Sequence, residues 1–224
     1  GVVEGLALIG TQAEVQTSAS PDQLQLARER LRELTDQTGF AGRLTLVIGE
    51  NGLDLAQQLG LSDQQPLLKS GNWIGPLLVA AAESGVRQLL VLGYHGKLIK
   101  LAGGIFHTHH HLADARLEVL SALAVQQGLS LESIRALLQT ASMEQAWGWL
   151  QAHDREQAMA LWMAVAEAVE GRSEAYLKRY GCTGMHVGAA LFNRERQLHW
   201  AGPEGRLMLR HCGVQLHPVA ADSG

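Results

Sequence analysis

Two short, almost unbroken apolar runs, LTLVI at residues 44–48 and QLLVL at residues 88–92, constrain this chain more than any other feature. Strands of that kind are buried on both faces, so something must cover each side of the sheet they form. The flanking segments supply the cover. Leu24, Ala27, Leu31 and Leu34 recur at helical spacing behind the start signal Ser20-Pro21-Asp22-Gln23, and Gly39 is the expected stop. Further helices are expected over 53–59 and over 73–83, the latter ending near Gly85, and a short strand is expected over 6–9. This alternation implies an α/β fold with a mostly parallel sheet flanked by helices.

From residue 112 the pattern changes. Segments 112–127, 131–139, 143–151 and about 155–180 all read as helices, one of them opened by a capping box from Ser142 to Gln145. Beyond them, 186–192 and 197–200 flank Asn193-Arg194-Glu195-Arg196, the pattern of a hairpin with a short loop. The expected organisation is an α/β ligand-binding part over 1–110 and a helical block with a C-terminal β-hairpin over 111–224, packed as one unit. The tail from Val214 is expected to be loose.

Composition removes several classes of function. With 46% hydrophobic residues in 224, the chain can bury a core without disulfides. The longest apolar run, 73–82, is about half the roughly 20 residues a spanning helix needs and is broken by Gly75 and Pro76, so no membrane partner is expected. A net charge of −4 with no Lys/Arg run argues against nucleic acid. Cys182 and Cys212 stand far apart, as in a reducing compartment, which points to the cytoplasm. The opening GVVEGLALIG runs into an apolar strand without an initiator Met, and the chain is expected to be cut from something longer. A homo-oligomer is left open.

Chemistry concentrates in GYHGKLIKLAGGIFHTHHHLADARLE, residues 93–118, which carries two lysines, an arginine, five histidines and two carboxylates. In a parallel sheet, ligands gather beyond the carboxyl ends of the strands, and this passage follows such an end. Gly93 and Gly96 would let the backbone turn, the next helix would offer free N–H groups, and Lys97 and Lys100 would add charge one turn apart. The alternative is an ordinary strand-to-helix turn with a solvated lysine face. With Thr108 as a helix cap, His110 or His111, Asp114 and Glu118 would share one face; that stripe could orient a substrate, bind a metal, or form a surface network closed by Arg116. No metal site is assigned. Asn72, at the start of the 73–83 helix, is expected to cap it, the alternative being an amide aimed at a ligand. Trp147, Trp149 and Trp162 are expected in the core.

Several of these segments, in this order, resemble the CbiD family of cobalt-precorrin-5B C-1 methyltransferases. Gly93, His95, Gly96, Lys97, Leu98, Lys100, Leu101, Ala102, Gly104, Ile105, Thr108, His109, Ala113, Asp114, Arg116 and Glu118 match that family's GHxGKLxKLAxGIxxTHSxxADxRxE stretch. Lys69, Asn72, Ile74 and Gly75 look like its KxSNFIG, Ile9-Gly10-Thr11 like its LGTTGIV, and VGAALFNRERQL like its closing hairpin.

The resemblance implies methyl transfer from S-adenosyl-L-methionine to C-1 of a cobalt-containing tetrapyrrole in cobalamin (corrin) biosynthesis. On residue chemistry, Lys97, Lys100 and Arg116 are then expected to pair with the carboxylates of that substrate, with Asn72 and Thr108 also toward it, and His95 and His109 are candidates for proton handling or ring contacts. Gly93 and Gly96 are expected toward the methyl donor, and Asp114 or Glu118 is expected either to take its ribose hydroxyls or to orient Arg116. It also implies a substantial amino-terminal region ahead of Gly1, without which this piece would bind ligands and not turn over. Two rivals stand beside it: a metal-dependent hydrolase built on the His107–His111 cluster with Asp114, and a non-catalytic tetrapyrrole-binding fragment.

Overall fold

The computed structural model describes residues 21–109 and 114–218. The elements run α1 (Pro21–Thr35), β1 (Arg43–Ile48), α2 (Glu50–Gln58), a 3-10 turn (Leu61–Asp63), β2 (Leu67–Ser70), α3 (Ile74–Glu83), β3 (Gln88–Tyr94) and α4 (His95–Ala102). There follow α5 (Arg116–Gln126), α6 (Leu131–Leu138), α7 (Met143–His153), α8 (Arg155–Arg179), β4 (His186–Phe192), β5 (Leu198–Ala201) and α9 (Pro203–His211). The expected strand at 6–9 and the start signal at Ser20 lie outside the described residues.

The five strands stand in the order β2-β1-β3-β4-β5, parallel except for β5, which returns antiparallel to β4 as the C-terminal hairpin. Period-two alternation divides the strands between two cores. Leu44, Leu46, Leu89, Val91, Val187 and Leu191 face the larger one, built with α1, α3 to α8 and Trp200. Val47, Leu90, Leu92, Ala190 and Phe192 face the smaller one, closed by α2 and α9. The sheet is therefore α/β and mostly parallel, as the apolar runs imply, and it draws β1 to β3 from 1–110 and β4 and β5 from 111–224.

Helix α8 is the strut of the larger side: at 25 residues it spans about 37 Å and packs on α3, α4, α5, α7, β4 and β5. Its inner face carries Glu170, 5% exposed, whose carboxylate accepts N–H groups from Ala189 (3.0 Å), Glu204 (3.2 Å) and Gly205 (2.7 Å). Two of those are first-turn amides of α9, so one side chain caps α9 and ties it to β4 and α8. Among the described residues, no helix is long and apolar enough to cross a membrane.

Three local expectations are revised. No loop separates β3 from α4: the strand ends at Tyr94 and the helix starts at His95. The helix expected from 112 begins at Arg116, behind Ala115 in the left-handed conformation (φ 54). Strand β2 and helix α9 were absent from the sequence reading, the first because LLKS is too short to show a period, the second because its Pro203 sits so close behind β5. The expected hairpin turn at 193–196 and the capping box are found, the latter with Gln145 N–H donating to Ser142 Oγ at 3.2 Å and Ala141 N–H donating to Gln145 Oε1 at 2.7 Å.

Candidate functional site

Strand order makes the site. From β1 the chain crosses to β2 on one side, whereas from β3 it continues to β4 on the other, so the helices leaving β1 and β3 part and leave a crevice at their carboxyl ends. Two cavities lie there. The larger, about 730 Å³, is bordered by Leu26 and Arg30 of α1, Leu53, Lys69, Asn72 and Lys97. The smaller, about 180 Å³, lies between Ile48, Asn51, Tyr94 and Phe192. Gly49, Glu50 and Lys97 border both, so the two are compartments of one cleft.

Glycines set its floor. Gly49 leaves β1 at φ 77, a conformation that favours glycine, and a Cβ there would meet Lys97 Nζ at 3.1 Å. The Lys97 ammonium thus lies over Gly49; it is exposed, and it pairs with no carboxylate among the described residues, whereas Arg30 pairs with Glu33 and Lys69 with Glu50. Gly93 and Gly96 act differently from the turn expected of them. A Cβ on Gly93 would press on Leu98 and Ile48, and one on Gly96 would stand 2.4 Å from Tyr94 Cε1. Their small size lets α4 close against β1 and lets the Tyr94 ring lie across the start of α4.

Behind Tyr94 runs a buried chain of hydrogen bonds. The Tyr94 hydroxyl donates to Glu144 Oε2 at 2.9 Å, His95 Nε2 meets the same oxygen at 2.6 Å, and Trp162 Nε1–H donates to His95 Nδ1 at 2.9 Å. An indole N–H can only donate, so His95 Nδ1 accepts and the ring proton is assigned to Nε2, directed at the carboxylate. Arg194 N–H adds a bond to Glu144 Oε1 at 3.2 Å. Burial pushes Glu144 toward a higher pKa, but the bonds from His95, Arg194 and Tyr94 outweigh it and hold the carboxyl below its ordinary value. For Tyr94, burial and the Glu144 charge both push the phenol well above its ordinary value. His95 is fully buried with both ring nitrogens engaged, so the residue expected to handle protons instead orients Glu144 and, through it, Tyr94.

A second cluster braces the cleft from behind. Segment 105–109 lies antiparallel to 72–75: Thr108 N–H donates to Asn72 O at 3.0 Å and Gly75 N–H to Phe106 O at 3.0 Å. Asn72 does not serve as the expected cap; the cap position is Trp73, which makes no side-chain cap bond, and Asn72 Oδ1 accepts from the Thr108 hydroxyl at 3.0 Å. Thr108 is spoken for in the same way and starts no helix. Lys100 is 2% exposed and donates to Thr108 O at 3.3 Å, and burial first, with help from Arg116 and against Asp114, pulls its pKa down. His109 is buried beside His107, which stands edge-on to Trp73 at 4.5 Å. His107 Nε2 is buried with no partner among the described residues, and burial, His109 and Lys100 all lower its pKa.

Asp114, Arg116 and Glu118 fall elsewhere. They line a separate cavity of about 180 Å³ with Ser142 and Met143. Asp114 and Arg116 form a two-pronged pair, Nε to Oδ1 at 2.5 Å and Nη2 to Oδ2 at 2.8 Å, across the left-handed Ala115. That fork holds Asp114 below the ordinary carboxylate value. The expected helical stripe of histidine and carboxylate does not form, because Asp114 precedes α5; His110 and His111 lie outside the described residues. Among the described residues, no group of three or more His, Cys, Asp or Glu is placed to hold a metal ion.

The structure thus gathers Lys97 and Asn72 around the cleft, leaves Gly93 and Gly96 as buried packing positions, and sets Lys100, Thr108, His95 and His109 into its supports. Sequence reasoning missed Tyr94, Glu144, Gly49, Glu50 and Arg196. Arg196, at the tip of the hairpin with φ 60, donates to Asp54 at 3.1 Å and Asn51 at 2.9 Å and pins that tip to α2. Its place in the four-residue turn between two strands was the available signal; Tyr94 and Glu144 had none, being fifty positions apart.

An open α/β sheet with a partitioned crevice at its switch point defines a protein that takes a ligand at the carboxyl ends of its strands. Comparison with known proteins narrows that class. The family model "CbiD, C-terminal domain" matches residues 107–203. The cobalt-precorrin-5B C(1)-methyltransferase of Prochlorococcus marinus (strain MIT 9313) is 64% identical over 214 residues, covering 96% of this chain and 56% of that protein. The proteins of the same name from Parasynechococcus marenigrum (strain WH8102) and Prochlorococcus marinus (strain NATL2A) are 61% and 50% identical, over 91% and 96% of this chain. The chain belongs to the CbiD family. It spans about half the length of the curated relatives it matches, and no solved structure matches it.

Proposed function

We propose that this chain is part of an enzyme that transfers a methyl group from S-adenosyl-L-methionine to C-1 of cobalt-precorrin-5B, a step of cobalamin biosynthesis. One observation carries the reading: 64% identity to a cobalt-precorrin-5B C(1)-methyltransferase over 96% of the chain. The cleft residues are spread from Gln23 to Phe192, so an identity that wide takes in the cleft and not an isolated motif. We also place the protein in the cytoplasm, supported by the free thiols Cys182 and Cys212.

The donor's sulfonium supplies an already activated methyl group, so the chain's task is positioning. Arg30, Lys69 and Lys97 stand on the cleft rim, Arg30 beside Glu33 and Lys69 beside Glu50, while Lys97 has no carboxylate partner among the described residues, so the rim offers cations to a ligand bearing carboxylates. Leu26, Leu53 and Leu67 give the same cleft apolar wall for a flat ring body. Lys100 and Thr108 hold the loop behind Asn72, and His95 and Glu144 hold Tyr94. Asp114 keeps the Arg116 fork extended at the neighbouring cavity, where it is available to a peripheral carboxylate.

The test is direct. The full-length protein, incubated with cobalt-precorrin-5B and methyl-labelled S-adenosyl-L-methionine, should place label on the ring at C-1. A ring recovered without label, from protein that is folded and saturated with both ligands, would overturn the reading.

A further inference from the structure

Within that reading, nothing so far assigns the two compartments of the cleft. They differ in size and in the chemistry of their walls. The larger, about 730 Å³, falls in the range of roughly 300–1,000 Å³ typical of whole-ligand pockets. The smaller, about 180 Å³, is room for about six waters at roughly 30 Å³ each, too little for a nucleoside or a macrocycle. It takes the end of something.

Its lining carries two different polar groups. The Lys97 ammonium lies over Gly49 without a carboxylate partner among the described residues. Tyr94 lines the same compartment and gives its only hydroxyl hydrogen to Glu144 at 2.9 Å, so its oxygen has only lone pairs left to offer. Ile48 and Phe192 close the space between with apolar surface. A carboxylate or a phosphate alone would satisfy Lys97 and leave the Tyr94 oxygen unmatched. A group carrying a carboxylate and an ammonium on one carbon satisfies both walls.

We propose that the small compartment seats the α-amino-acid end of the methyl donor, its carboxylate on Lys97 and its ammonium donating to the Tyr94 oxygen. The nucleoside then leads out past Gly49 and Glu50 toward the large compartment. The inference rests on the methyltransferase reading and assigns Lys97 to the donor, leaving Arg30 and Lys69 on the outer rim for the carboxylates of the ring.

Calorimetric titration of the full-length protein with two probes tests this. S-adenosyl-L-homocysteine carries the amino-acid end; 5′-methylthioadenosine is a nucleoside thioether without it. Lys97→Met should weaken S-adenosyl-L-homocysteine by at least about tenfold, the worth of one charge-assisted hydrogen bond, and leave 5′-methylthioadenosine within about twofold. Tyr94→Phe should do the same to a smaller degree. Lys97 is exposed, so its variant keeps the fold, which a thermal melt verifies. A Lys97→Met protein that binds S-adenosyl-L-homocysteine like the wild type, or that loses both probes equally, overturns the assignment while leaving the methyltransferase reading intact. A folded wild type that binds neither probe removes the methyl-donor reading itself.

Discussion

The hydroxyl of Tyr94 and the carboxylate of Glu144 meet at 2.9 Å although fifty positions separate them, and through that contact the helical block grips the end of a central strand. The carboxyl group of Glu144 is held below its ordinary value of 4.5, burial being outweighed by the bonds it accepts. A depressed acid stabilises the fold fully above its unfolded pKa, and the contribution is lost as pH falls through the folded value. Glu144→Gln should therefore flatten the acid limb of stability below about pH 4.5, measured by urea unfolding between pH 3 and 6. An acid limb as steep as that of the wild type would show that Glu144 does not carry it.

Gly96 offers a cleaner handle on Tyr94 than the tyrosine itself. A Cβ at Gly96 would lie 2.4 Å from Tyr94 Cε1, and the backbone there does not require glycine. Gly96→Ala should displace the ring at a cost of about 1–3 kcal/mol, the usual range for overpacking, and should weaken ligand binding in parallel. Unchanged thermal stability and unchanged near-ultraviolet dichroism would mean the ring has room to move.

His107 makes stability depend on pH near neutrality. Burial, His109 and Lys100 depress its pKa from 6.5, so between that value and the folded one the unfolded chain binds the extra proton. The contribution is whole above about pH 6.5 and declines as pH falls. His199, depressed chiefly by burial, acts in the same direction. His107→Gln should lessen the loss of stability between pH 7.5 and 5.5 without abolishing it, as read from denaturant midpoints.

Glu170 is a structural counterpart to the cleft. Removing its carboxylate strands three N–H groups, two of them at the start of α9, and each unsatisfied buried donor costs about 1–3 kcal/mol. Glu170→Ala should lower stability by about 3 kcal/mol or more, with ligand affinity per folded molecule retained. A loss under about 1 kcal/mol would show that water replaces the carboxylate.

Arg196 pins the hairpin tip to Asn51 and Asp54 from a left-handed backbone. Arg196→Gly keeps that backbone accessible and deletes the guanidinium. Stability should change by about 1 kcal/mol or less, as for exposed pairs, while amide exchange at 51–54 and 193–197 speeds up. Exchange at wild-type rates would leave the tip held by its own turn.

What the sequence revealed and what it hid divide along physical lines. The LTLVI and QLLVL runs disclosed the parallel sheet because burial on both faces leaves no polar alternation to confuse. The helix at 143–153 carried its own start signal in the capping box from Ser142 to Gln145. By contrast, Thr108 and Asn72 both carry side chains that cap helices well, yet each satisfies the other across 36 positions, a pairing that local propensity cannot register. His95 looked like a reactive imidazole until Trp162 and Glu144 took its two nitrogens. Lys97 was legible as a cation beyond a strand end, but its uncommitted state depends on which neighbours Arg30 and Lys69 chose.

Because the compartment beside Tyr94 is assembled from β1, α2, β3, α4 and β4, no partly folded intermediate owns it. Occupancy is then coupled to the global folding equilibrium: a ligand at a hundred times its dissociation constant adds about 2.7 kcal/mol to the whole domain and not to one loop. A cell short of the ligand would hold a less robust protein, and supply of the small molecule would set that protein's lifetime.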